Sequence, residues 1–340
     1  MTHTKMSAAF ALSGAILLAL ALPALAGDAV DVAAAKKEGK VVWYTSTPIQ
    51  TANKIVKAFE AKTGVKVELF RSGGSAVLRR FMQEQQARLV ATDVLTTSDP
   101  GATAALASKG TFVPFKPTNF DKVPAVAKDP NGAYVAQRLN MITIYVRNDK
   151  VTPATAPKTW SDLLDPKYKG QMVTTDPSYT ALGLVTVATL AKKFGWGFYE
   201  KLRANDTMVV QGNQQVADML KNGERLIAAG ALDSYAAVVR KAGHPITTIY
   251  PTEGALIIAS PTAIVKGGPH PNAAKLFAEF MLSDTAQNFF PQDGGYAARI
   301  DIPSPAGSPK LADVKAMPID YAAIEKEAAK VKRKFNEIFQ

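Results

Sequence analysis

Apolar and polar positions alternate along the chain in a pattern typical of strands that follow helices. The short apolar run at 41–44 predicts a buried strand. Apolar residues then recur every three or four positions from Ile49 to Phe59, which predicts one face of a helix, and Gly64 is expected to end it. Residues 65–70 predict a second strand. A strand, a helix and a strand at this spacing predict a parallel sheet covered by helices.

The same alternation continues to about residue 250. Leu78, Phe81, Met82 and Leu89 predict the next helical face, and 93–95 the next strand. Past Pro153, a second series is predicted, with strands at 171–175, 208–211, 225–229 and 246–250 and helices at 180–193, 214–221 and 234–242. We therefore expect an α/β fold with two lobes, each a mostly parallel sheet flanked by helices.

Two β-rich stretches, 134–146 and 246–265, stand where the pattern passes from one series to the other. We interpret them as paired crossover strands that form a two-strand hinge. The predicted first lobe is 27–135 plus about 255–300. The predicted second lobe is about 140–250 plus 301–340.

Small polar residues follow most of the predicted strands, at the edge where open α/β sheets bind ligands. Hydroxyls and free backbone N–H groups at helix N-termini favour anions. The same residue types are also common helix caps, so a purely structural role remains open for each of them. The Gly73-Gly74 pair favours a close approach of the backbone to a ligand. The candidate ligand-binding residues are Thr45, Ser46, Thr47, Ser72, Gly73, Gly74, Ser75, Ser98, Asp176, Ser178, Thr180, Asn213, Asp233, Ser234 and Tyr235.

The N-terminus predicts export. Lys5 precedes an apolar run at 8–22, and Pro23 precedes a small-x-small pattern at 24–26. This arrangement is typical of a secretory signal peptide cleaved after Ala26. A membrane anchor is the alternative, but the run is shorter than the ~20 residues that a spanning helix needs. We expect a periplasmic protein with a signal peptide at 1–26.

Charge and composition narrow the function classes. The 340 residues include 40 basic and 29 acidic side chains, giving a formal net charge of +11, which favours anionic partners. The basic residues are dispersed rather than clustered, so no nucleic-acid partner is expected. With no cysteine, thiol nucleophiles and Cys-ligated metal sites are excluded. No Gly-x-Ser-x-Gly, Walker A or His-Glu-x-x-His motif is present, so we do not expect an enzyme; a periplasmic hydrolase or phosphatase is the alternative of a different class.

Several segments carry a family resemblance: 41–46, the helix end at 58–64, Asp93-Val94, the Trp-Ser-Asp-Leu-Leu-Asp-Pro-Lys-Tyr-Lys-Gly run at 160–170, 251–254 and a helix at 272–290. In these the chain resembles the extracellular solute-binding proteins of ABC importers, which have the type II periplasmic binding protein fold. The branch includes ferric-ion-binding and phosphonate- or sugar-phosphate-binding proteins. The resemblance implies two lobes that close on one small-molecule ligand and deliver it to an ABC permease in the inner membrane. We expect a monomer without a cofactor.

The resemblance leaves two ligand classes open. Ferric members use adjacent tyrosines as phenolate ligands; here Tyr235 matches the first, but Ala236 stands in the place of the second. The histidines past the predicted signal peptide, His244 and His270, both adjoin prolines in predicted surface turns. In anion-binding members, residues matching Asp233 and Glu253 accept hydrogen bonds from ligand hydroxyls or an amine. Glu253 could instead be a solvated turn residue and Asp233 a helix cap.

We therefore expect a small polar organic anion such as a phosphonate or a sugar phosphate. Ferric iron, with Tyr235 as a ligand, is the alternative. Arg71 could pair with an anion, but an arginine in a loop more often faces water, and that is what we expect here.

Overall fold

The computed structural model describes residues 1–2 and 30–340. Apart from Met1 and Thr2, the predicted signal peptide therefore lies outside the described residues. The strands are β1 (Lys40–Thr45), β2 (Lys66–Arg71), β3 (Val94–Thr96), β4 (Phe112–Val113), β5 (Val135–Arg147), β6 (Met172–Thr175), β7 (Met208–Val210), β8 (Ile227–Leu232), β9 (Ile246–Ile249), β10 (Leu256–Val265) and β11 (Tyr296–Ala297).

Helices follow most of these strands. They are α1 (Val32–Glu38), α2 (Ile49–Thr63), α3 (Gly74–Gln86), α4 (Pro100–Ser108), α5 (Ala181–Phe194), α6 (Gly197–Ala204), α7 (Asn213–Asn222), α8 (Asp233–Lys241), α9 (Pro271–Met281), α10 (Asp284–Gln292) and α11 (Tyr321–Phe339). No helix in the described part of the chain is long and apolar enough to cross a bilayer.

The strands form two parallel groups joined through an antiparallel centre. In the first group β1 pairs in parallel with β2 and β3, and in the second β6 pairs in parallel with β7 and β8. Between them lie β10, antiparallel to β3, and β5, antiparallel to β8. The α/β fold with two mostly parallel lobes is confirmed.

The two crossover stretches pair with each other as predicted. β10 runs antiparallel to β5, with a register from Leu256 opposite Ile142 to Thr262 opposite Val135. The second stretch is not one strand, however. A turn at 250–255 separates β9 from β10, and β9 pairs with the far end of β5, where Ile249 lies opposite Ile144.

Each lobe is organised around a buried tryptophan. Trp43 on β1 packs against Phe277 of α9, with ring centroids 5.1 Å apart. Trp160 is fully buried in the other lobe, and its indole N–H donates to Gly254 O at 2.9 Å. A buried indole needs such a partner, which explains why the 159–164 turn is held against the end of the crossover region.

Two helical predictions need correction. α3 ends at Gln86 and buries Val77, Leu78 and Phe81, whereas Met82 and Leu89 are exposed. The helix expected at 272–290 is two helices, because Ser283 interrupts it and starts α10 by accepting a hydrogen bond from Ala286 N.

The sequence pattern did not predict the C-terminal helix, which touches both helical series. α11 packs on α5 and α6, and the Phe335 ring lies 5.6 Å from that of Tyr199. It also reaches α4, where a Cβ on Gly101 would lie 2.8 Å from Tyr321 O. α11 therefore joins the two halves in addition to the crossover strands.

Candidate functional site

Loops at the carboxyl ends of β1, β2, β6, β7 and β8 surround a cleft between the two halves. The cleft contains two adjoining cavities, of about 150 Å³ and about 50 Å³. Both are lined by Pro48, Arg138, Gln214 and Tyr235, so they are two parts of one space. Such a position is where open α/β sheets bind small molecules.

The structure brings about half of the predicted residues to the walls of this cleft. They are Ser46, Gly73, Gly74, Thr180, Asn213, Ser234 and Tyr235. Tyr235 lies in the first turn of α8 and is only partly buried, so its side chain can meet a ligand. Asn213 is tied down: its side-chain oxygen accepts from Leu232 N at 2.8 Å and fixes the start of α7 against the end of β8.

Other predicted residues support the first loops from behind. Thr45 and Thr47 are fully buried, with their hydroxyl oxygens 2.7 Å apart, and Gln137 donates to the Thr47 hydroxyl. The Ser98 hydroxyl lies 3.2 Å from that of Ser46 and 2.9 Å from that of Ser260 on β10.

The loop after β2 is held mainly by its backbone. Ser72 N donates to Thr45 O at 3.2 Å, and Ser75 is buried in the first turn of α3. Neither side chain lines the cleft. Both residues set the position of the loop that carries Gly73 and Gly74.

Three predicted residues are engaged elsewhere. Both Glu253 carboxylate oxygens accept from Trp160 N at 3.1 Å, so this side chain holds the turn at 159–164 and does not face the cleft. Asp176 accepts from Ser178 N at 2.6 Å, which shapes the loop before α5. The Ser178 carbonyl accepts from Arg79 of α3, a contact of 3.0 Å between the two lobes.

Asp233 lies beneath the cleft rather than in its wall. The side chain is 3% exposed, and neither carboxylate oxygen has a hydrogen-bond partner of normal geometry among the described residues. Burial raises the pKa of Asp233 well above its ordinary value, and the backbone N–H of Ser234 and the charge of Arg240 oppose this shift only in part. Burial therefore favours the protonated form of this carboxyl.

Sequence reasoning missed the residue with the most unusual environment, Arg138 on β5. Its side chain is 5% exposed, and it lines both cavities. In the described part of the chain its guanidinium has only two hydrogen bonds, both long, at 3.4 Å to Ser46 O and 3.5 Å to Ser98 Oγ, and its Nε has no partner. Among the described residues, no carboxylate forms an ion pair with it.

A second guanidinium adds to the positive charge. Arg71 lines the larger cavity instead of facing open water, and its Nε donates to Thr47 O at 3.0 Å. Burial lowers the pKa of Arg138 to about 10, and repulsion by Arg71 adds to this shift, against the opposing effect of Tyr235. The only feature of the sequence that could have indicated Arg138 is the presence of polar residues inside a β-rich stretch, namely Gln137, Arg138 and Asn140.

The glycine pair has a specific steric role. A Cβ on Gly73 would lie 2.6 Å from Cε1 of the Tyr179 ring, and one on Gly74 would lie 3.0 Å from the Cβ of Ala181. Tyr179 belongs to the opposite lobe and lines the larger cavity. The two glycines thus let this loop approach the loop before α5, which closes one side of the cleft.

Comparisons with known proteins fit this arrangement. The profile of the family described as "Bacterial extracellular solute-binding protein" matches residues 41–296, which is most of the described chain. The chain belongs to this family. The resemblance inferred from the sequence is confirmed.

This solute-binding protein is 27% identical over 240 residues to the putative 2-aminoethylphosphonate-binding periplasmic protein of Salmonella typhimurium, with 68% of each chain covered. Its fold is similar to that of the periplasmic binding protein AfuA from Actinobacillus pleuropneumoniae, solved with fructose-6-phosphate (TM-score 0.79, 20% identity, 88% of this chain and 98% of that one). It is also similar to iron-bound HitA from Pseudomonas aeruginosa (TM-score 0.75, 23% identity, 87% and 99%).

The residues around Tyr235 form a poor metal site. Ala236 is fully buried in the core of the second lobe, and Tyr235 shares its cavity with a guanidinium. His270 is paired with Asp93 at 2.8 Å, and neither residue lines the two cavities. Within the described ranges, no group of three or more His, Cys, Asp or Glu side chains could hold a metal ion.

Proposed function

We propose that this solute-binding protein captures a small polar organic anion in the cleft between its lobes and delivers it to an ABC permease in the inner membrane. The single observation that carries the anionic class is Arg138, a buried guanidinium that lines both parts of the cleft and has no carboxylate partner among residues 30–340. A phosphonate or a sugar phosphate is the ligand class that fits this site.

An unpaired buried charge is costly, because burial removes its water without replacing it. Arg71 lines the same cavity, so the cleft brings two like charges together. An anion between them would supply the missing counter-charge and the missing acceptors. A guanidinium suits the oxygens of a phosphonate, phosphate or carboxylate, which it can bind with two parallel N–H groups.

Loop backbones add donors on the same side. Gly73 and Gly74 open α3 at the cleft, and Gly212 and Asn213 open α7. Free N–H groups at helix N-termini favour anions. The ligand would therefore touch both lobes, and we infer that closure about β5 and β10 traps it.

Location and assembly follow the same proposal. The predicted signal peptide would export the protein to the periplasm, the compartment named for the Salmonella typhimurium relative. We propose that it acts as a monomer, with the permease as its partner. Hydrolysis is disfavoured by membership in a family of binding proteins, so purified protein should bind a phosphate ester without turning it over.

Ferric iron is the second candidate, supported by Tyr235 in the cleft wall and by the structural similarity to iron-bound HitA. Two observations weigh against it. The second tyrosine position is the buried Ala236, and two guanidinium groups would repel a trivalent cation.

The test is an Arg138→Met variant. Binding of 2-aminoethylphosphonate and of fructose-6-phosphate would be measured by calorimetry. For each of these ligands that the wild type binds, the variant should lose about 2–5 kcal/mol of binding free energy. The ligand-free variant should be at least as thermally stable as wild type, because an unpaired buried charge is removed. Arg333→Met, on the exposed face of α11, is the control and should change neither property. Wild-type affinity in Arg138→Met would contradict the proposal.

A further inference from the structure

The smaller cavity of the cleft has one carboxylate in its wall, Asp293, at the end of α10. Gly294 follows with φ of 78°, and a Cβ there would lie 2.3 Å from the Cβ of Ala237. Only glycine fits so close to α8, so this turn is pressed against the helix that carries Tyr235. Asp293 thereby lines the same cavity as Ser234 and Tyr235, and Arg138 lines both this cavity and the larger one.

Asp293 is positioned by two neighbours on α2. Its Oδ2 accepts from the Thr51 hydroxyl at 2.7 Å, and its Oδ1 accepts from the Lys54 ammonium. A carboxylate can accept about four hydrogen bonds, so roughly two acceptor positions remain. The Asp293 side chain is 15% exposed, whereas that of Lys54 is 42% exposed.

The two cavities therefore differ in chemistry. Of the residues that the structure describes, Arg71 and Arg138 line the larger one and no carboxylate does. The smaller one, of about 50 Å³, has a fixed acceptor and room for only a few atoms. A ligand that fills both would place its anionic group at the arginines and a short arm beside Asp293.

We propose that Asp293 is a specificity-determining residue, which selects anions that carry a hydrogen-bond donor, an amine or a hydroxyl, on a short arm. This rests on the proposed function, because the anionic group must first occupy the arginine end. Asp293 takes the acceptor role that the family resemblance implied for Asp233 and Glu253, since Asp233 is buried beneath the cleft and Glu253 accepts from Trp160 N. An unfilled buried acceptor is what makes a site reject the analogue that lacks the donor.

The experiment uses three probes with the same anionic group and arms of similar length: 2-aminoethylphosphonate, 2-hydroxyethylphosphonate and ethylphosphonate. Wild type should bind the first two at least about tenfold more tightly than the third. Asp293→Asn should lose about tenfold for the amine and about threefold for the hydroxyl, because an amide oxygen is a weaker acceptor than a carboxylate. Its affinity for ethylphosphonate should stay within about twofold, and the exposed Asp313→Asn should match wild type for all three.

A second variant keeps the test informative if Asp293→Asn does not fold. Lys54→Met frees one carboxylate oxygen and removes a competing cation, so it should raise affinity for the amine about threefold or more and leave ethylphosphonate unchanged. Equal wild-type affinity for all three probes, or an equal change for all three in the variants, would overturn the role of Asp293 and leave the arginine site standing. Failure of wild type to bind any of the three would contradict this inference together with the phosphonate reading of the proposed function.

Discussion

Two buried ionisable residues near the cleft, Arg138 and Asp233, have side-chain atoms without a hydrogen-bond partner among the described residues. Arg138 lines both cavities and keeps its charge, because even its lowered pKa of about 10 lies above neutral pH. Asp233 lines neither cavity, and burial raises its pKa, which favours its neutral form. The Arg138 guanidinium can bind an anionic ligand, whereas the buried Asp233 carboxyl destabilises the folded protein. The difference lies in which of them a ligand can reach.

The cost of Asp233 should be visible in the pH dependence of stability. In the unfolded chain this carboxyl loses its proton near pH 4, whereas the folded protein retains it to higher pH. The folded state then binds more protons, so the free energy of unfolding falls as pH rises above about 4, by up to about 1.4 kcal/mol per pH unit, until the raised native pKa is reached.

Asp233→Asn should remove this fall in the free energy of unfolding with rising pH. Urea unfolding between pH 4 and 8 would measure it, with the exposed Asp313→Asn as the matched control. A slope in Asp233→Asn as steep as in wild type would show that the Asp233 carboxyl is already ionised in the folded protein.

For single residues, the sequence predicted which loop residues lie at the cleft better than which strand residues do. Ser46, Gly73 and Tyr235 follow predicted strands, and their position at the sheet edge could be inferred from the α/β alternation. Arg138 stands within a β-rich stretch, where periodicity does not say which side a residue faces or what lies opposite. Its role depends on contacts with Ser46 and Ser98, 92 and 40 positions away in the chain.

Among the elements, the strands and helices that the sequence pattern predicted lie within a few residues of the observed ones, because buried parallel strands are short apolar runs and the covering helices are amphipathic. The sequence pattern did not predict the helices α1, α4, α6 and α11 or the short strands β4 and β11. The helix predicted at 272–290 is broken at Ser283, and 246–265 contains a turn. α11 packs on α4, α5 and α6, which are distant in sequence, so its position depends on contacts that a local pattern does not show.

The loop that opens α3 gives a prediction at this scale. In Gly74→Val the added side chain would meet Ala181 of the other lobe, where even a Cβ lies at 3.0 Å. The variant should fold but fail to close. Small-angle scattering with saturating 2-aminoethylphosphonate should show a smaller radius of gyration in wild type and an unchanged one in the variant.

The matched control is Gly197→Val, since a Cβ on Gly197 meets nothing within 4 Å. This variant should contract on binding as wild type does. Contraction and wild-type affinity in Gly74→Val would remove this loop from both the closure and the site.

For the whole molecule, the family and the two-lobed architecture were within reach of the sequence, and the details of the ligand were not. The segments at 41–46 and 160–170 mark a fold that relatives with different named ligands share. Ligand choice depends on which side chains reach a small shared space, and Arg138, Tyr235 and Asp293 come from β5, α8 and the end of α10. Only their arrangement in space brings them together.

The most direct test of the central claim is native mass spectrometry of the protein exported from cells and purified without added ligand. An organic anion held between Arg71 and Arg138 should appear as a non-covalent mass increase that is lost on denaturation and is absent from Arg138→Met. The protein should stay colourless after iron loading and washing. A mass increase equal to iron, together with a visible charge-transfer band that disappears in Tyr235→Phe, would contradict the organic anion and establish ferric iron as the cargo.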